Sequence, residues 1–449
     1  MAENMRALAL DMLLELHQGE TYSNILIGQV FEKYDYLSAQ DKAFLKRLTE
    51  GVIERRITLD YVLDQFSKTP VKKMKPVIRE ILRMGVYQIL YLDAVPDSAA
   101  CNEAVKLTAQ KHIVQLKGFV NGILRNIARQ KEQITWPDER KDPLYALSIR
   151  TAMPMEILTL WEKDYGMSLA STMAEAMLKP GKVSIRRRED LSEDACRKLE
   201  EAWKKSGVQV TPSPYLPYAY LLSHVEGVQR LEGFAGGLIT VQDVSSMLVT
   251  ECAGIKENDL VLDVCAAPGG KSMHAAGKHP AAKVIARDVS PYRVELMEEN
   301  AARCHLDNMT CSCADAAVSD ETMIGKADVL YLDVPCSGLG IIGHKQDIKY
   351  DWSAEKEESL VKLQRQIVTS SIPYVRSGGT IIYSTCTVNR RENDQMRDFI
   401  LEHFNVQAVS LDEHLPKNLQ SRTTAQGYLQ LMPGVQEADG FFIAKFRKG

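Results

Sequence analysis

Two cysteines stand where an apolar run gives way to a turn. Asp328–Asp333 runs into VPCSGLG (Val334–Gly340), which carries Cys336, and Thr380–Tyr383 runs into STCTV (Ser384–Val388), which carries Cys386. Each run reads as a short β-strand, so each places a thiol at a C-terminal strand edge, where open α/β sheets bind ligands. In the usual doubly wound order the two strands are neighbours, and the thiols flank one cavity. Asp333 ends the first strand. Such a set suits carbon alkylation of a pyrimidine. C5 of cytosine is a poor nucleophile, but a thiolate adding to C6 turns the ring into an enamine whose C5 takes a methyl group. The C5 proton must then leave so that the thiolate can be expelled. An acid hydrogen-bonded to N3 stabilises the adduct, and Asp333 is placed for that if a dry pocket raises its pKa.

A second constellation lies upstream. LDVCAAPGGKS (Leu262–Ser272) reads as a strand, a small-residue turn and the start of a helix. The glycines let backbone approach a ligand, and the helix N-terminus offers free N–H groups. Asp288, at the next strand end, is placed for ribose hydroxyls, and Asp315, at a third, for a base. The loop lacks both GxGxxG and GxxxxGK[ST], so neither NAD nor ATP is favoured. A lone cysteine is more simply a small buried apolar residue, which is the reading for Cys265.

The elements that hold these groups follow from periodicity. From Arg6 to Arg129 apolar residues recur at three and four, implying an all-helical domain of about five to seven helices. WPDERKDP (Trp136–Pro143) reads as a linker. Helices near Pro154–Tyr165 and Leu169–Leu178 precede a small α+β module with strands at Val183–Arg187 and Val208–Thr211 around a helix at Ser192–Ser206. From Gly237 onward, strands at Leu260–Val264, Lys283–Ala286, Val329–Leu332 and Thr380–Tyr383 alternate with helices, as in a doubly wound parallel sheet. Gly440–Phe446 (GFFIAKF) reads as a late edge strand.

The 449 residues are too many for one ordinary core, and 45% hydrophobic with 25% charged content is that of a soluble globular chain. No apolar run is long enough for a bilayer, and the first residues do not form a signal peptide, so a cytoplasmic location is expected. Nine cysteines without CxxC or Cys/His spacing point to free thiols and no metal. Cys311 and Cys313 fit a half-buried strand. The net charge of −4 hides a split: residues 1–130 carry 18 Lys and Arg against 15 acids, leaving 37 against 44 elsewhere. Any grip on RNA must therefore be local. Lys72, Lys73 and Lys75, with Lys68, Arg79 and Arg83 nearby, form the densest basic run, although a solvated helix face explains the lysines about as well. Arg186, Arg187 and Arg188 form a shorter patch.

CAAPGGK (Cys265–Lys271), DVPCSGLG (Asp333–Gly340) and YSTCTVNRREN (Tyr383–Asn393) resemble the cofactor, catalytic and nucleophile motifs of the RNA m5C methyltransferase family, also called NOL1/NOP2/Sun or Fmu. TVQDVSS (Thr240–Ser246) is similar to its opening motif and DGFF (Asp439–Phe442) to its final strand. The resemblance implies that Cys386 is the nucleophile, that Cys336 aids product release and that Asp333 contacts the base. It also implies S-adenosylmethionine as cofactor, held by Cys265, Ala266, Ala267, Pro268, Gly269, Gly270, Lys271, Asp288, Asp315 and Asp333. FVNGILRN (Phe119–Asn126) and SNIL (Ser23–Leu26) resemble the RNA-binding NusB domain. The combination matches a bacterial subgroup that methylates 16S ribosomal RNA. Two positions depart from the pattern: Val334 replaces the commoner alanine, and Arg187–Arg188 replace a hydrophobic–asparagine pair.

The expected architecture is thus multidomain. An all-α NusB-like domain spans 1–135, a helical linker with a small α+β RRM-like module spans 145–235, and an α/β Rossmann-like class I methyltransferase domain spans 236–449. The expected activity is C5 methylation of a specific cytosine in 16S rRNA by a monomer. The alternatives are another rRNA or tRNA cytosine, or a catalytically weak RNA-binding assembly factor. Methylation of an amino or amide nitrogen ranks below these, because such sites present an (N/D)PP(Y/F) turn where this chain has DVPCSG.

Overall fold

The computed structural model describes residues 4–17, 19, 22–179, 181–225 and 227–449. They form two compact units, Met1–Leu178 with His344–Asp351, and Lys179–Gly343 with Trp352–Gly449. Among them no helix is long and apolar enough to cross a membrane.

The first unit is helical. Helices at Met5–Leu16, Ser23–Lys33, Ala39–Glu54, Arg56–Phe66, Pro76–Tyr91, Asp97–Gln110 and Lys117–Gln130 match the expected five to seven. Pro76–Tyr91 is the central one: Pro76 starts it at a position where the missing N–H costs nothing, and most of its side chains are buried. Its Arg83 lies inside, paired with Asp60 at 2.5 Å and Glu80 at 2.6 Å. The helices at Pro143–Thr151, Met155–Tyr165 and Met167–Ala176 sort with this unit rather than with the α+β module. Thr58 Oγ1, for example, donates to Ile149 O at 2.5 Å.

The second unit holds two sheets. The smaller is antiparallel, β2-β3-β1-β4, built from β1 (Val183–Arg187), β2 (Gln209–Pro212), β3 (Ala219–Ser223) and β4 (Ile239–Val241). The helix Glu193–Lys205 covers it through Leu199 and Trp203. The larger comprises β5 (Leu260–Asp263), β6 (Lys283–Asp288), β7 (Met309–Cys313), β8 (Ala327–Asp333), β9 (Val375–Thr385), β10 (Val406–Ala408), β11 (Tyr428–Leu431) and β12 (Phe441–Lys448). Its order is β10-β12-β9-β8-β5-β6-β7, with β11 also on β12. The five strands from β9 to β7 are mutually parallel, while β12 runs antiparallel to β9.

The expected edge strand is a correction. β12 pairs with β9 on one side and with β10 and β11 on the other. Phe442, Ile443, Ala444 and Phe446 are all buried, which is why GFFIAKF reads as a nearly unbroken apolar run instead of an alternating one. β10 has only three residues, too few for a pattern.

Candidate active site

The chain winds from β5 out to β7, then returns to β8 on the other side of β5. The reversal opens a crevice beyond the C-terminal ends of β5 and β8, the place where doubly wound sheets take ligands. β8 and β9 are parallel neighbours in the register Asp333↔Ser384. The two turns that follow carry the thiols, and Cys336 Sγ lies 3.3 Å from Cys386 Sγ. Neither is in a disulfide. The hydrogen bond to Cys386, reinforced by burial, pushes the Cys336 thiol well above its ordinary pKa. Cys336 therefore keeps its proton.

Asp333 bridges two loops. Its Oδ2 lies 2.7 Å from Lys271 Nζ, and its Oδ1 accepts from Ser384 Oγ at 2.7 Å. Burial opposes the charge on Lys271, but Asp333, Asp263 and Cys386 together outweigh it and raise its pKa. The ammonium also sits 5.2 Å from the Phe441 ring centroid. Asp333 ends β8, at the expected strand end, and its ion pair with Lys271 was not expected from the sequence. The acid in a dry pocket is instead Asp263, fully buried at the end of β5 and pushed up to about 7, chiefly by burial. Its Oδ2 accepts from Ser272 Oγ at 2.6 Å, and its Oδ1 has no partner.

The loop from Cys265 to Lys271 turns tightly between them. Ala266 N bonds Arg287 O at 2.7 Å, Gly269 N bonds Ala266 O at 2.7 Å, and Gly269 adopts φ +96°. Pro268 is exposed, while Cys265, Ala267 and Gly270 are half-buried. Asp288 steadies the turn by accepting from Ala267 N at 3.3 Å and Ser290 N at 3.0 Å. Asp315 is exposed, accepts from Ala317 N at 2.9 Å, and lines a recess of about 470 Å³ with Val264, Arg287 and Tyr374. Cys265 is pushed well up by burial and by the charges of Asp263, Asp333, Asp288 and Asp315, as befits an inert thiol.

Several buried groups behind the thiols carried no expectation. Glu392 is fully buried and accepts from Ser337 N and Gln364 Nε2, both at 2.9 Å, and from Ser337 Oγ. Asn393 ties Thr385 to Gln430, and Asn389 and Arg391 both bond Glu357. Gly340 N donates to Cys386 O at 3.1 Å, and Gly440 N donates to Gly340 O at 3.0 Å. Asp243 is half-buried and pushed up to about 6, by burial first and then by the charge of Asp439. Glu392 and Asn393 lie inside YSTCTVNRREN, yet nothing about an acid and an amide there announces burial. Val334 is 4% exposed and part of the core, which explains the larger side chain.

The basic residues divide. Lys68, Lys72, Lys73 and Lys75 are exposed, Arg79 is half-buried, and Arg83 is consumed by its internal ion pairs. Arg186, Arg187 and Arg188 do not share a face. Arg186 is buried, Arg187 Nη1 bonds Arg188 O, and Arg188 pairs with Asp190. Strand alternation sends Arg186 and Arg187 to opposite sides of β1.

Along its whole length the chain is 34% identical to the probable ribosomal RNA small subunit methyltransferase B of Bacillus subtilis, with 99% of each chain covered. Residues 252–447 match the model of the 16S rRNA methyltransferase RsmB/F. The chain belongs to that family. Residues 3–129 match the NusB family. The ribosomal RNA small subunit methyltransferase B of Cronobacter sakazakii is 30% identical over 99% of each chain. Among solved structures, PH0851 shares the fold at TM-score 0.81 and 21% identity over the full length of both chains. NSun6 from Pyrococcus horikoshii, solved with SFG, gives 0.57 and 21% over 66% of this chain and 99% of its own. The RsmB/F match spans both thiols, Asp333 and the loop from Cys265 to Lys271, and the NusB match lies within the helical unit.

Proposed function

We propose that this family member transfers the methyl group of S-adenosylmethionine to C5 of a cytosine in 16S ribosomal RNA through a covalent bond from Cys386 to C6. The observation that carries this reading is the 3.3 Å thiol pair on the turns after two adjacent parallel strands. The relatives named as small-subunit rRNA methyltransferases support the substrate.

Charge supports the cofactor. Asp288 and Asp315 act on Cys265 together with Asp333 and Asp263, the charge of Asp333 being matched by Lys271 and that of Asp263 reduced by burial, so the excess negative charge rests on Asp288 and Asp315. Such a negative field suits a sulfonium and opposes the diphosphate of NAD or ATP. The turn from Cys265 to Lys271 and the acids Asp288 and Asp315 would hold the nucleoside. When bound, S-adenosylmethionine supplies a methyl group activated by a positive sulfur.

The chain's own residues do the rest. Cys386 adds to C6 as a thiolate, and the C5–C6 electron pair becomes available at C5. Asp333, held by Lys271 and Ser384, meets the N3 edge of the ring and stabilises charge in the adduct. After methylation a water molecule takes the C5 proton, the C–H electron pair restores the C5=C6 double bond, and the Sγ–C6 bond breaks with its electron pair leaving on Cys386 as the thiolate. Cys336, with its proton retained and its sulfur against Cys386, aids that release. The cytosine must be unstacked to reach these thiols, at a cost of a few kcal/mol met by binding elsewhere on the RNA.

Radiolabelled methyl transfer to 16S rRNA, mapped by bisulfite sequencing, tests the reading. Cys386→Ala is expected to abolish transfer. Cys336→Ala is expected to accumulate a protein–RNA adduct that survives denaturing electrophoresis. Normal turnover by Cys336→Ala would refute the division of roles, and absence of 5-methylcytosine with wild-type protein would refute the reaction.

A further inference from the structure

The two turns that carry the thiols are joined a second time, behind the sulfurs, through one buried acid. Glu392 is fully buried, and both oxygens of its carboxylate are engaged. Oε2 accepts from Ser337 N and from Gln364 Nε2, both at 2.9 Å, and Oε1 accepts from Ser337 Oγ. Gln364 Nε2 also donates to Pro335 O at 2.9 Å. Pro335 and Ser337 flank Cys336 in the chain, so one carboxylate grips that cysteine from both sides.

The grip extends to the other thiol. The Ser337 hydroxyl proton points to Glu392, so the 2.8 Å contact between Ser337 Oγ and Thr387 Oγ1 is donated by Thr387. Thr387 is fully buried and follows Cys386 directly, and its Oγ1 accepts from Asn389 N at 3.3 Å. The hydrogen bonds therefore run one way, from Asn389 N–H through Thr387 and Ser337 to Glu392. Tyr383 Oη donates to Glu392 O at 2.7 Å, which fixes the backbone of the acid against β9.

A buried carboxylate costs stability, and an apolar side chain of similar volume would hold a turn at less cost. The acid offers direction instead. Hydrogen bonds prescribe a distance and an angle, whereas apolar contact prescribes neither. We propose that Glu392 is a positioning residue for product release: through Ser337 and Thr387 it locks the Cys336 turn to the Cys386 turn, and so keeps the Cys336 sulfur on Cys386 as the bond to C6 breaks. The proposal rests on the division of roles between the two thiols given above. In that step the Sγ–C6 electron pair returns to Cys386, and Glu392 neither gains nor loses a proton. The acid acts through its neighbours and not on the base.

Two substitutions open the lock without touching Glu392. Ser337→Ala removes the hub and leaves the acid its bonds from Ser337 N and Gln364. Thr387→Val removes the incoming donor at nearly the same size. With full-length protein, 16S rRNA and S-adenosylmethionine, kcat should fall roughly tenfold in both, far more than KM for RNA or the single-turnover rate of methyl transfer. The protein–RNA adduct should persist through denaturing electrophoresis. Glu392→Gln keeps an acceptor for Ser337 N and is expected to recover much of the turnover that Glu392→Ala loses.

A readout without RNA separates the lock from the reaction. The hydrogen bond to Cys386 is the first cause of the raised Cys336 pKa, ahead of burial and of the Glu392 charge. The pH midpoint for the initial rate of Cys336 alkylation by iodoacetamide, followed by peptide mass mapping, thus reports whether the sulfurs still touch. Ser337→Ala and Thr387→Val leave the Glu392 charge in place and should lower that midpoint, as Cys386→Ala does. Release at the wild-type rate in both variants overturns the lock, and so does a midpoint unchanged in both. If Cys336→Ala traps no adduct, the division of roles fails instead, and the midpoint still decides whether Glu392 locks the turns.

Discussion

Two cysteines of one type acquire different characters from their neighbours. Cys336 is held as a thiol by its hydrogen bond to Cys386 and by burial, while Cys386 lies within the field of the Lys271 ammonium. A similar contrast separates two aspartates: Asp333 has a cation at 2.7 Å, while Asp263 takes a hydrogen bond from Ser272 and feels Lys271 only at longer range. The second case makes a pH prediction. Asp263 is pushed up from 3.8 to about 7 in the folded state. Between those values the native protein binds more protons than the unfolded chain, so stability falls as pH rises. The thermal midpoint of the ligand-free protein should decline from pH 4 to 7, and Asp263→Asn should flatten part of that decline. An equally steep decline in Asp263→Asn would show that Asp263 titrates normally. The chemistry-bearing residues were legible because thiols and acids at strand ends are rare by type and place. Their partners were not: the Lys271–Asp333 pair joins positions 62 apart in sequence, a contact that only the sheet order creates.

At the scale of elements, some strands were read to within two residues, such as Val183–Arg187, found as expected, and Lys283–Asp288, expected over Lys283–Ala286. Short strands such as Ile239–Val241 were missed, because three residues show no period. Edge or interior status was misread for β12, since pairing is a property of neighbours and not of the strand's own sequence. Turn packing was equally hidden. Gly340 and Gly440 bring the Cys336 turn, the Cys386 turn and the start of β12 together through backbone hydrogen bonds. A Cβ on Gly340 would lie 1.9 Å from Gly440 O and 2.9 Å from Cys386 O, too close for any rotamer change to relieve. Gly340→Ala must therefore spread the turns. The expected cost is about 1–3 kcal/mol of stability and on the order of a hundredfold in kcat, because misplacement near 1 Å has that effect on reacting groups. RNA affinity, measured separately, should change little. Wild-type kcat in Gly340→Ala would mean that thiol placement tolerates the displacement.

For the whole molecule, the first compact unit is discontinuous in sequence. It takes Met1–Leu178 and then His344–Asp351, a segment that begins only four residues after Gly340. The segment satisfies groups that the helices leave open. Lys349 Nζ donates to Glu54 O and Tyr350 Oη to Ile53 O, both at 2.8 Å, capping the last carbonyls of Ala39–Glu54. Asp347 Oδ2 accepts from Ser23 N at 2.8 Å at the start of another helix. A fragment of residues 1–178 thus lacks partners for these groups. At about 1 kcal/mol per hydrogen bond and 2–4 °C per kcal/mol, its midpoint should rise by several degrees when a peptide of residues 344–352 is added. The gain should also depend on pH. Burial lowers the Lys349 pKa from 10.5 to about 7, so the docked peptide binds fewer protons than the free one between those values, and stabilisation grows as pH climbs from 7 to 9. A Lys349→Met peptide should lose that dependence, because nothing is left to deprotonate. A midpoint indifferent to the wild-type peptide at every pH would make the segment a passenger, and the helical unit complete without it.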